Sequence, residues 1–494
     1  MGKTILILLS IWLFVAAIPN GPKPVPKAAY RVETIPMPEG LSAETGAIDF
    51  LPDGRLVASF HRGEVMFYNP KTKQWSLFAE GLHEPLGILV VSNSELIIMQ
   101  RPELTRVKDR DGDGRADLYE KVTDAFGISG NYHEFNYGPI RDKAGNLYIG
   151  LNTASPNGGV RSEVRGTRDT VATDHPKQMF SPVPYRGWIM KLNASDHQLV
   201  PYASGFRSPN GLVFDPNGRM LVTDNQGDWV GTSPLYAVEE GKFYGHPASL
   251  VWNANWRGGN PLAMTLPELE AMRTKAAVLF PHGILANSIT QPVLDNTGGK
   301  FGPFAGQLLI GEMNQERIVR VMLEEVAGQL QGACIPFLDG QGLRKGNNRL
   351  AFAPDGSLWT GQNDHGWAGA KGIQRIVYTG KPPMDVYTMN LTPNGFDLTF
   401  TQPVDAATAS RPENYQFRHY RYEYHKTYGS PQFDIAAVPV KAVTVSKDRR
   451  KVSLNLADLK PGLIYELTLG DVRATNGEPL ANRLICYTLN HLKP

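Results

Sequence analysis

Apolar and polar positions alternate along this chain in a phrase that recurs: a short apolar strand, a tight turn, then a second apolar strand. It reads GAIDFLPDGRL at 46–56, LGILVVSNSELII at 86–98, GPIRDKAGNLYIG at 138–150 and GLVFDPNGRMLVT at 211–223. A fainter copy spans QPVLDNTGGKFGPFAGQLLIGE at 291–312, and the last is RLAFAPDGSLWTG at 349–361. Asp-Gly, Asn-Gly and Gly-Asn at the tips supply the positive φ that such turns need. A lone hairpin leaves a face of its strands exposed, whereas sheets repeated around an axis bury one another. The six copies therefore predict an all-β protein with a six-bladed β-propeller over residues 30–378.

The uneven spacing of the copies places insertions between blades. TLPELEAMRTKAA, at 265–277, reads as a helix capped by Thr265, with Glu268 closing a capping box. The polar, Gly- and Arg-rich stretch 157–181 reads as a long surface loop, the kind of segment that gathers at a binding face. After Tyr378 the register changes. TGKPPMD (379–385) is a Pro/Gly linker, and the short alternating strands beyond it predict a C-terminal Ig-like β-sandwich over 386–494. That region carries an aromatic tract of Tyr415, Phe417, Tyr420, Tyr422, Tyr424 and Tyr428, read either as a buried face or as a platform for sugar.

Composition narrows the picture. The 494 residues hold 50 basic and 48 acidic side chains with no basic block, which argues against a nucleic-acid partner. Lys3 followed by the apolar run Ile5–Ile18, with Val15 and Ala17 as small residues ahead of Pro19, has the form of a signal peptide over residues 1–18. That run is short for a membrane span. A secreted or periplasmic protein with no span after cleavage is expected. Cys334 and Cys486 are the only cysteines, too few for a disulfide framework or a cysteine metal site.

DRDGDGRADLYE, from Asp109 to Glu120, sets Asp109, Asp111, Asp113, Asp117 and Glu120 at positions 1, 3, 5, 9 and 12, with Gly114 at the sharp turn. This is the oxygen-ligand pattern of an EF-hand-type calcium loop. ELTRVKD ahead of it reads as β, so the pattern predicts an isolated calcium loop that pins a blade connection. His133 follows, just ahead of the third copy of the strand phrase.

Over roughly 40–380 these phrases resemble the soluble glucose/sorbosone dehydrogenase family, six-bladed propellers that use pyrroloquinoline quinone. The likeness is carried by GLHEPLGI (81–88), HEFNYGPIRDKAGNLY (133–148), GFRSPNGLVFDPNGRMLVTDNQG (205–227), GKFYGHP (241–247) and RLAFAPDGSLW (349–359). It extends to a poorly characterised, secreted bacterial branch with the calcium loop and a similar C-terminal sandwich. The resemblance implies a quinone-dependent sugar dehydrogenase, with His133 taking the proton of the sugar hydroxyl. It implies Arg207 on the quinone, Asn210 as an orienting group, and Arg344 or Arg349 on the cofactor carboxylates. Asp224 lies in a loop loosely like the family's cofactor-site calcium loop. In place of the family's fifth-blade lysine this chain has Glu312, Asn314 and Gln315. The implied partners are a small sugar or glycan and a separate electron acceptor.

Two other readings share the propeller. A gluconolactonase-like hydrolase or lyase would hold one metal in the central channel. Glu44 and Asn210 match two of its ligands, but Asn347 and Asn348 stand where an acid is wanted. A non-catalytic glycan-binding scaffold is the third. Convergence of His133, Arg207, Asn210 and Asp224 on one pocket separates an enzyme from a scaffold.

Overall fold

The computed structural model describes residues 28–169, 177–365 and 369–494. The expected signal peptide lies outside them, as does part of the 157–181 loop. Among the described residues no helix is long and apolar enough to cross a membrane.

Each of the six phrases forms an antiparallel hairpin: Thr45–Phe60, Gly87–Met99, Asn136–Leu151, Gly211–Thr223, Ile289–Glu312 and Asn347–Gln362. The turns close as their residues dictate. The aspartates Asp53, Asp142, Asp215 and Asp355 each accept a backbone N–H from two residues further on. Gly54, Gly145, Gly218 and Gly356 take φ of 88°, 90°, 82° and 87° at the tips. Two further strands complete each sheet, and the first strands of successive sheets touch in a closed ring, from Thr45–Phe50 round to Asn347–Phe352. The arrangement is that of a β-propeller.

The ring closes in a way the repeat did not announce. The outermost strand of the last sheet is Tyr30–Ile35, paired antiparallel with Gly372–Tyr378 from Tyr30↔Tyr378 to Ile35↔Ile373. The two ends of the region are thus joined in one sheet. The apolar residues between sheets form separate buried clusters, such as Leu51, Val57, Phe67, Phe78, Leu96 and Ile98 between the first two.

The expected helix is present but shorter, Leu266–Met272. Glu268 Oε2 accepts the Thr265 N–H at 2.9 Å, as a capping box requires. Beyond Arg273 the chain is drawn into the edge strand Val278–Phe280 of the fourth sheet, and that pairing ends the helix.

From Val386 onward two sheets share one core. One holds Val386–Thr392, Gly395–Phe400, Lys451–Leu456 and Val440–Val445; the other holds Leu484–Leu489, Leu463–Leu469, Tyr415–Tyr422 and Gln432–Val438. Phe396, Leu398 and Leu454 meet Phe417, Tyr465 and Tyr487 between them. The second of these sheets is continuous with the fifth sheet of the ring, because Leu484–Leu489 pairs with Gln329–Phe337. Cys334 and Cys486 face one another across that seam as buried free thiols.

The Pro/Gly segment ahead of Val386 is held firmly at its end. Arg320, wholly buried in the fifth sheet, donates to Gln307 Oε1 (2.7 Å), the Val386 carbonyl (2.7 Å) and Asp385 Oδ2 (3.2 Å). Its guanidinium lies 3.8 Å from the Phe304 ring centre. Asn482 donates to the same Asp385 oxygen at 2.8 Å. Removing one partner of such a pair strands the other charge in the interior. Arg320→Met is expected to cost about 3–5 kcal/mol in chemical denaturation, with much of the loss recovered when Asp385→Asn is added. Equal losses in the single and double variants would show that the stranded charge is not the cause.

Candidate functional site

Because all six hairpins run the same way, the starts of the first strands and the ends of the second strands open on one face of the ring. The residues at those positions line a cavity of about 860 Å³, the size of a small-molecule site. His133 comes from the segment before the third hairpin, Asn210 from just before the fourth, and Arg207 from the same connection. These three line one cavity, whereas Asp224, the fourth expected there, does not.

Thr153, the second residue after the third hairpin, joins two of them. Its carbonyl accepts the His133 Nδ1 hydrogen at 2.8 Å, while its N–H and hydroxyl donate to the Arg207 carbonyl at 3.0 and 2.9 Å. Because a carbonyl only accepts, Nδ1 carries the proton and Nε2 keeps its lone pair. Burial, and then the Arg207 guanidinium, push the His133 imidazole down to about 3, so it is neutral at physiological pH. The His133 backbone is fixed in turn. Asn131 Oδ1 accepts its N–H at 3.0 Å, and Arg101 donates to the carbonyls of Asn131 and Tyr132.

Arg207 is 9% exposed and, among the described residues, makes no ion pair. Its Nε is buried without a hydrogen-bond partner. The side chain lies along Gly227, where a Cβ would come within 2.0 Å of Nε, so only glycine leaves it room. Against the opposing effect of burial, the Asp228 carboxyl is held low by His246 first and by Arg207 after it. Asp228 Oδ2 serves His246 at 3.2 Å and the Met179 N–H at 2.8 Å.

Below this pair Asn210 and Asn348 line the cavity, and Arg349 lies behind them, outside the lining. Arg349 Nη1 donates to Asn210 Oδ1 at 2.8 Å and to Asn348 Oδ1 at 3.0 Å, and its guanidinium packs 4.9 Å from the Tyr137 ring centre. Burial lowers Arg349 to about 10, which leaves it charged, and its Nη2 has no partner. The side-chain oxygens of Asn210 and Asn348, which a channel metal would need, are thus both engaged by a cation. This weighs against the lactonase-like ligand set. Asn347 is also spent on the Arg317 and Arg344 carbonyls.

Three expected cofactor residues, Arg349, Asp224 and Arg344, lie outside the lining. Asp224 is wholly buried and not in the lining; its carboxylate accepts the N–H of Arg207 (2.9 Å), Ser208 (2.6 Å) and Asn225 (2.8 Å). It shapes the connection that presents Arg207 instead of meeting a ligand. Arg344 turns outward from the cavity to Gln362 and takes no part in the lining. Glu312, at the position of the family's lysine, is buried and receives the N–H groups of Asn287, Ser288 and Gln315, leaving Met313 and Asn314 to line the wall.

Several lining residues were not legible beforehand as site residues. From the aromatic tract only Tyr428 reaches the cavity, 60% exposed, with its ring centre 5.5 Å from the Arg207 guanidinium. The hairpin that carries it is tied to the ring by Trp229 N–H to the His425 carbonyl and Gly429 N–H to the Gly227 carbonyl. Tyr424 donates to the Gly245 carbonyl, while Tyr415, Phe417 and Tyr420 are buried. On another wall His61 and His365 stack with ring centres 4.3 Å apart. Phe135 touches both His133 and His365, at 6.0 and 5.8 Å between ring centres.

The acidic loop is flanked by strands, Leu104–Lys108 and Leu118–Thr123, as its sequence implied. Carboxylate oxygens of Asp109, Asp111 and Asp113 lie within 4.8 Å of one another, a donor set suited to a hard cation. The other two expected ligands are engaged elsewhere. Asp117 accepts the Arg110 N–H at 3.0 Å, and Glu120 lies in the second strand, opposite Arg106 in register, and pairs with it at 2.8 Å. In an EF-hand a helix carries the twelfth residue back to the loop; here a strand carries it away.

Tested against a quinone that bears carboxylates, the cavity fits in one respect above all: its lining holds Arg207, a buried guanidinium with an unpartnered nitrogen and no ion pair. Arg207 and Asn210 are the lining groups positioned to hold such an anion.

The low values of His133 and of His61, which burial pushes down to about 4, have a consequence for stability. Below pH 6.5 the unfolded chain binds protons that the folded protein refuses, so their contribution is full above that pH and is lost as pH falls. His133→Gln and His61→Gln are each expected to flatten the decline in Tm between pH 6.5 and about 4. An unchanged slope in both would contradict the assigned neutral imidazoles.

A family model described as "Domain of unknown function (DUF7133)" matches residues 71–255. No curated protein matches the chain. Among solved structures, the chain is similar to the PQQ-bound aldose sugar dehydrogenase of Streptomyces coelicolor, at 18% identity over 72% of this chain and 99% of that one, TM-score 0.46. It is similar to a glucose dehydrogenase at 16% identity over 71% and 99% of the two chains, TM-score 0.48. It is also similar to the PQQ domain of pyranose dehydrogenase from Coprinopsis cinerea, at 12% identity over 71% and 96%, TM-score 0.46. The chain resembles glucose and aldose dehydrogenase-like proteins.

Proposed function

We propose that this protein is a secreted or periplasmic oxidoreductase that oxidises a sugar-type hydroxyl in the cavity, with a quinone of the pyrroloquinoline quinone class as electron acceptor. The observation that carries the reading is the unit His133–Thr153–Arg207. A neutral imidazole with a bare Nε2 and a buried guanidinium without a carboxylate are held on one backbone residue. Oxidation of a hydroxyl needs a group that takes the O–H proton and a fixed positive charge where electron density accumulates. His133 Nε2 would accept the proton, and the Thr153 carbonyl, accepting the Nδ1 hydrogen, would stabilise the resulting imidazolium. The quinone, when bound, supplies the acceptor for the hydrogen and electron pair leaving carbon.

The low basicity of His133 is part of the reading. An anion bound at Arg207 offsets the guanidinium's repulsion, the second cause of the low value after burial, and so raises the basicity of His133 in the loaded cavity. Asn210, its oxygen held by Arg349, offers its amide N–H groups for orientation. Tyr428 supplies an aromatic face of the kind that packs on a sugar ring. We read the ring as a six-bladed propeller over 30–378, and the two C-terminal sheets as a sandwich over 386–494 that contributes Tyr428. The signal-like N-terminus supports export, and a separate electron acceptor would reoxidise the quinone. The acidic loop is read as a structural calcium site built on Asp109, Asp111 and Asp113.

Titration of the calcium-loaded protein with pyrroloquinoline quinone, followed by absorbance, is expected to saturate, with Arg207→Ala weakening binding at least ~10-fold, the loss of one charge-assisted contact. His133→Asn is expected to keep quinone binding and lose at least ~100-fold in sugar oxidation with an artificial acceptor. Absence of quinone binding, or full activity in His133→Asn, would sink the reading. Separately, calcium added after chelation is expected to raise Tm. A concentration a hundredfold above Kd corresponds to about 2.7 kcal/mol, and Asp111→Asn should reduce the gain.

A further inference from the structure

We propose that Glu44, His61 and His365 form a binding site for one divalent transition-metal ion in the cavity wall, where the first and sixth sheets meet. One ligand atom from each lies within 4.8 Å of the others. The placement follows from the ring. Glu44 and His61 flank the first hairpin at its open end, held together by the His61 N–H donating to the Glu44 carbonyl at 3.1 Å. His365 comes from the connection that follows the second strand of the sixth sheet, so the site straddles the junction where the chain's last sheet meets its first.

Four features point to an ion and not to an incidental cluster. His61 Nδ1 is buried and has no hydrogen-bond partner. His365 adopts φ 35°, a left-handed backbone that a histidine rarely takes and that holds its ring toward Glu44. Glu44 divides its oxygens, with Lys371 on Oε1 at 2.8 Å and His365 Nδ1 near Oε2 at 3.3 Å. An ordinary surface ion pair needs only Glu44 and Lys371, and accounts for neither histidine. Two imidazoles and one carboxylate are a mixed nitrogen–oxygen set, suited to zinc, iron(II) or cobalt(II) and unlike the all-oxygen aspartate loop. Three protein ligands leave coordination positions open. Since His61 and His365 both line the cavity, those positions are available to an oxygen of a bound ligand, such as a hydroxyl or carboxylate.

This site does not depend on the quinone reading, and its test uses the metal alone. The full-length protein, stripped with chelator and returned to excess calcium so that the aspartate loop is satisfied, is titrated with cobalt(II). One equivalent is expected to bind, with visible d–d bands reporting nitrogen ligation. His365→Ala should weaken binding by at least ~100-fold, more than the loss of an outer partner costs. The His365 side chain is 44% exposed, so this variant does not threaten the fold. His61→Ala should do the same, with melting curves checking that the protein remains folded. Lys371→Met, which frees Glu44 Oε1, is expected to tighten binding several-fold, an effect that a merely structural cluster would not show. No bands in the calcium-loaded protein, or bands that persist in His365→Ala, would overturn the assignment.

Discussion

The antiparallel pairing of Tyr30–Ile35 with Gly372–Tyr378 is the contact on which everything functional depends. Each sheet in the ring buries its apolar faces only against its neighbours, so an unclosed ring would leave the first and last sheets with exposed faces and free edges. Closure by a strand from the far end of the region couples the two termini, and it brings Glu44 and His61 of the first sheet against His365 of the sixth. It also holds the six open hairpin ends at one mouth. The cavity is therefore a property of the closed ring, and no single hairpin contains it.

Within that mouth the electrostatics are unbalanced by design of the fold. Arg320, at the seam with the C-terminal sheets, has Asp385 beside it. Arg186, beneath the His133 segment, has Glu134, and it also donates to Asn136 Oδ1 at 2.6 Å. Arg207 and Arg349 make no ion pair: Arg349 meets amides, carbonyls and an aromatic face, and the Asp228 carboxylate near Arg207 is engaged by His246. A buried charge without a counter-ion costs several kcal/mol unless something compensates it. Dipoles do so in part, and an anionic ligand would complete it. The same protein thus pairs Arg186 and Arg320 and leaves Arg207, the arginine of the cavity lining, without an ion pair, a distinction that burial alone does not draw.

How much of this was legible depends on how local the determinant is. The hairpins were readable because their turns are settled within five residues: an Asp that caps its own turn and a Gly that takes positive φ. His133, Arg207 and Asn210 were readable because they sit at fixed offsets from those hairpins, and a repeat converts offset into position on the ring. Asp224 stands at a similar offset and failed. The N–H groups of Arg207 and Ser208 from the neighbouring connection, with that of the adjacent Asn225, claim its carboxylate, and no pattern in its own strand reveals the first two. Glu120 failed for a different reason. The calcium pattern assumes a helix after the loop, but the strand Leu118–Thr123 turns that residue toward Arg106. His61, His365 and Tyr428 are separated by up to several hundred residues, and only ring closure and the seam at the fifth sheet bring them to one cavity.

That seam gives the C-terminal sheets a place in the chemistry. Leu484–Leu489 extends the fifth sheet of the ring, and Leu463–Leu469 and Tyr415–Tyr422 follow in the same hydrogen-bonded array. Backbone order therefore passes without a break from the ring to the hairpin that carries Tyr428. The hairpin is then fastened back onto the ring beside Asp228. A separately tethered module would move relative to the cavity, and a contact with Arg207 would be made only part of the time. A shared sheet removes that freedom before any ligand arrives, so the entropy of ordering the aromatic wall is spent in folding and not in binding. The cavity is accordingly built from both regions of the chain. Its polar wall comes from the ring, and one face of its entrance comes from beyond residue 385.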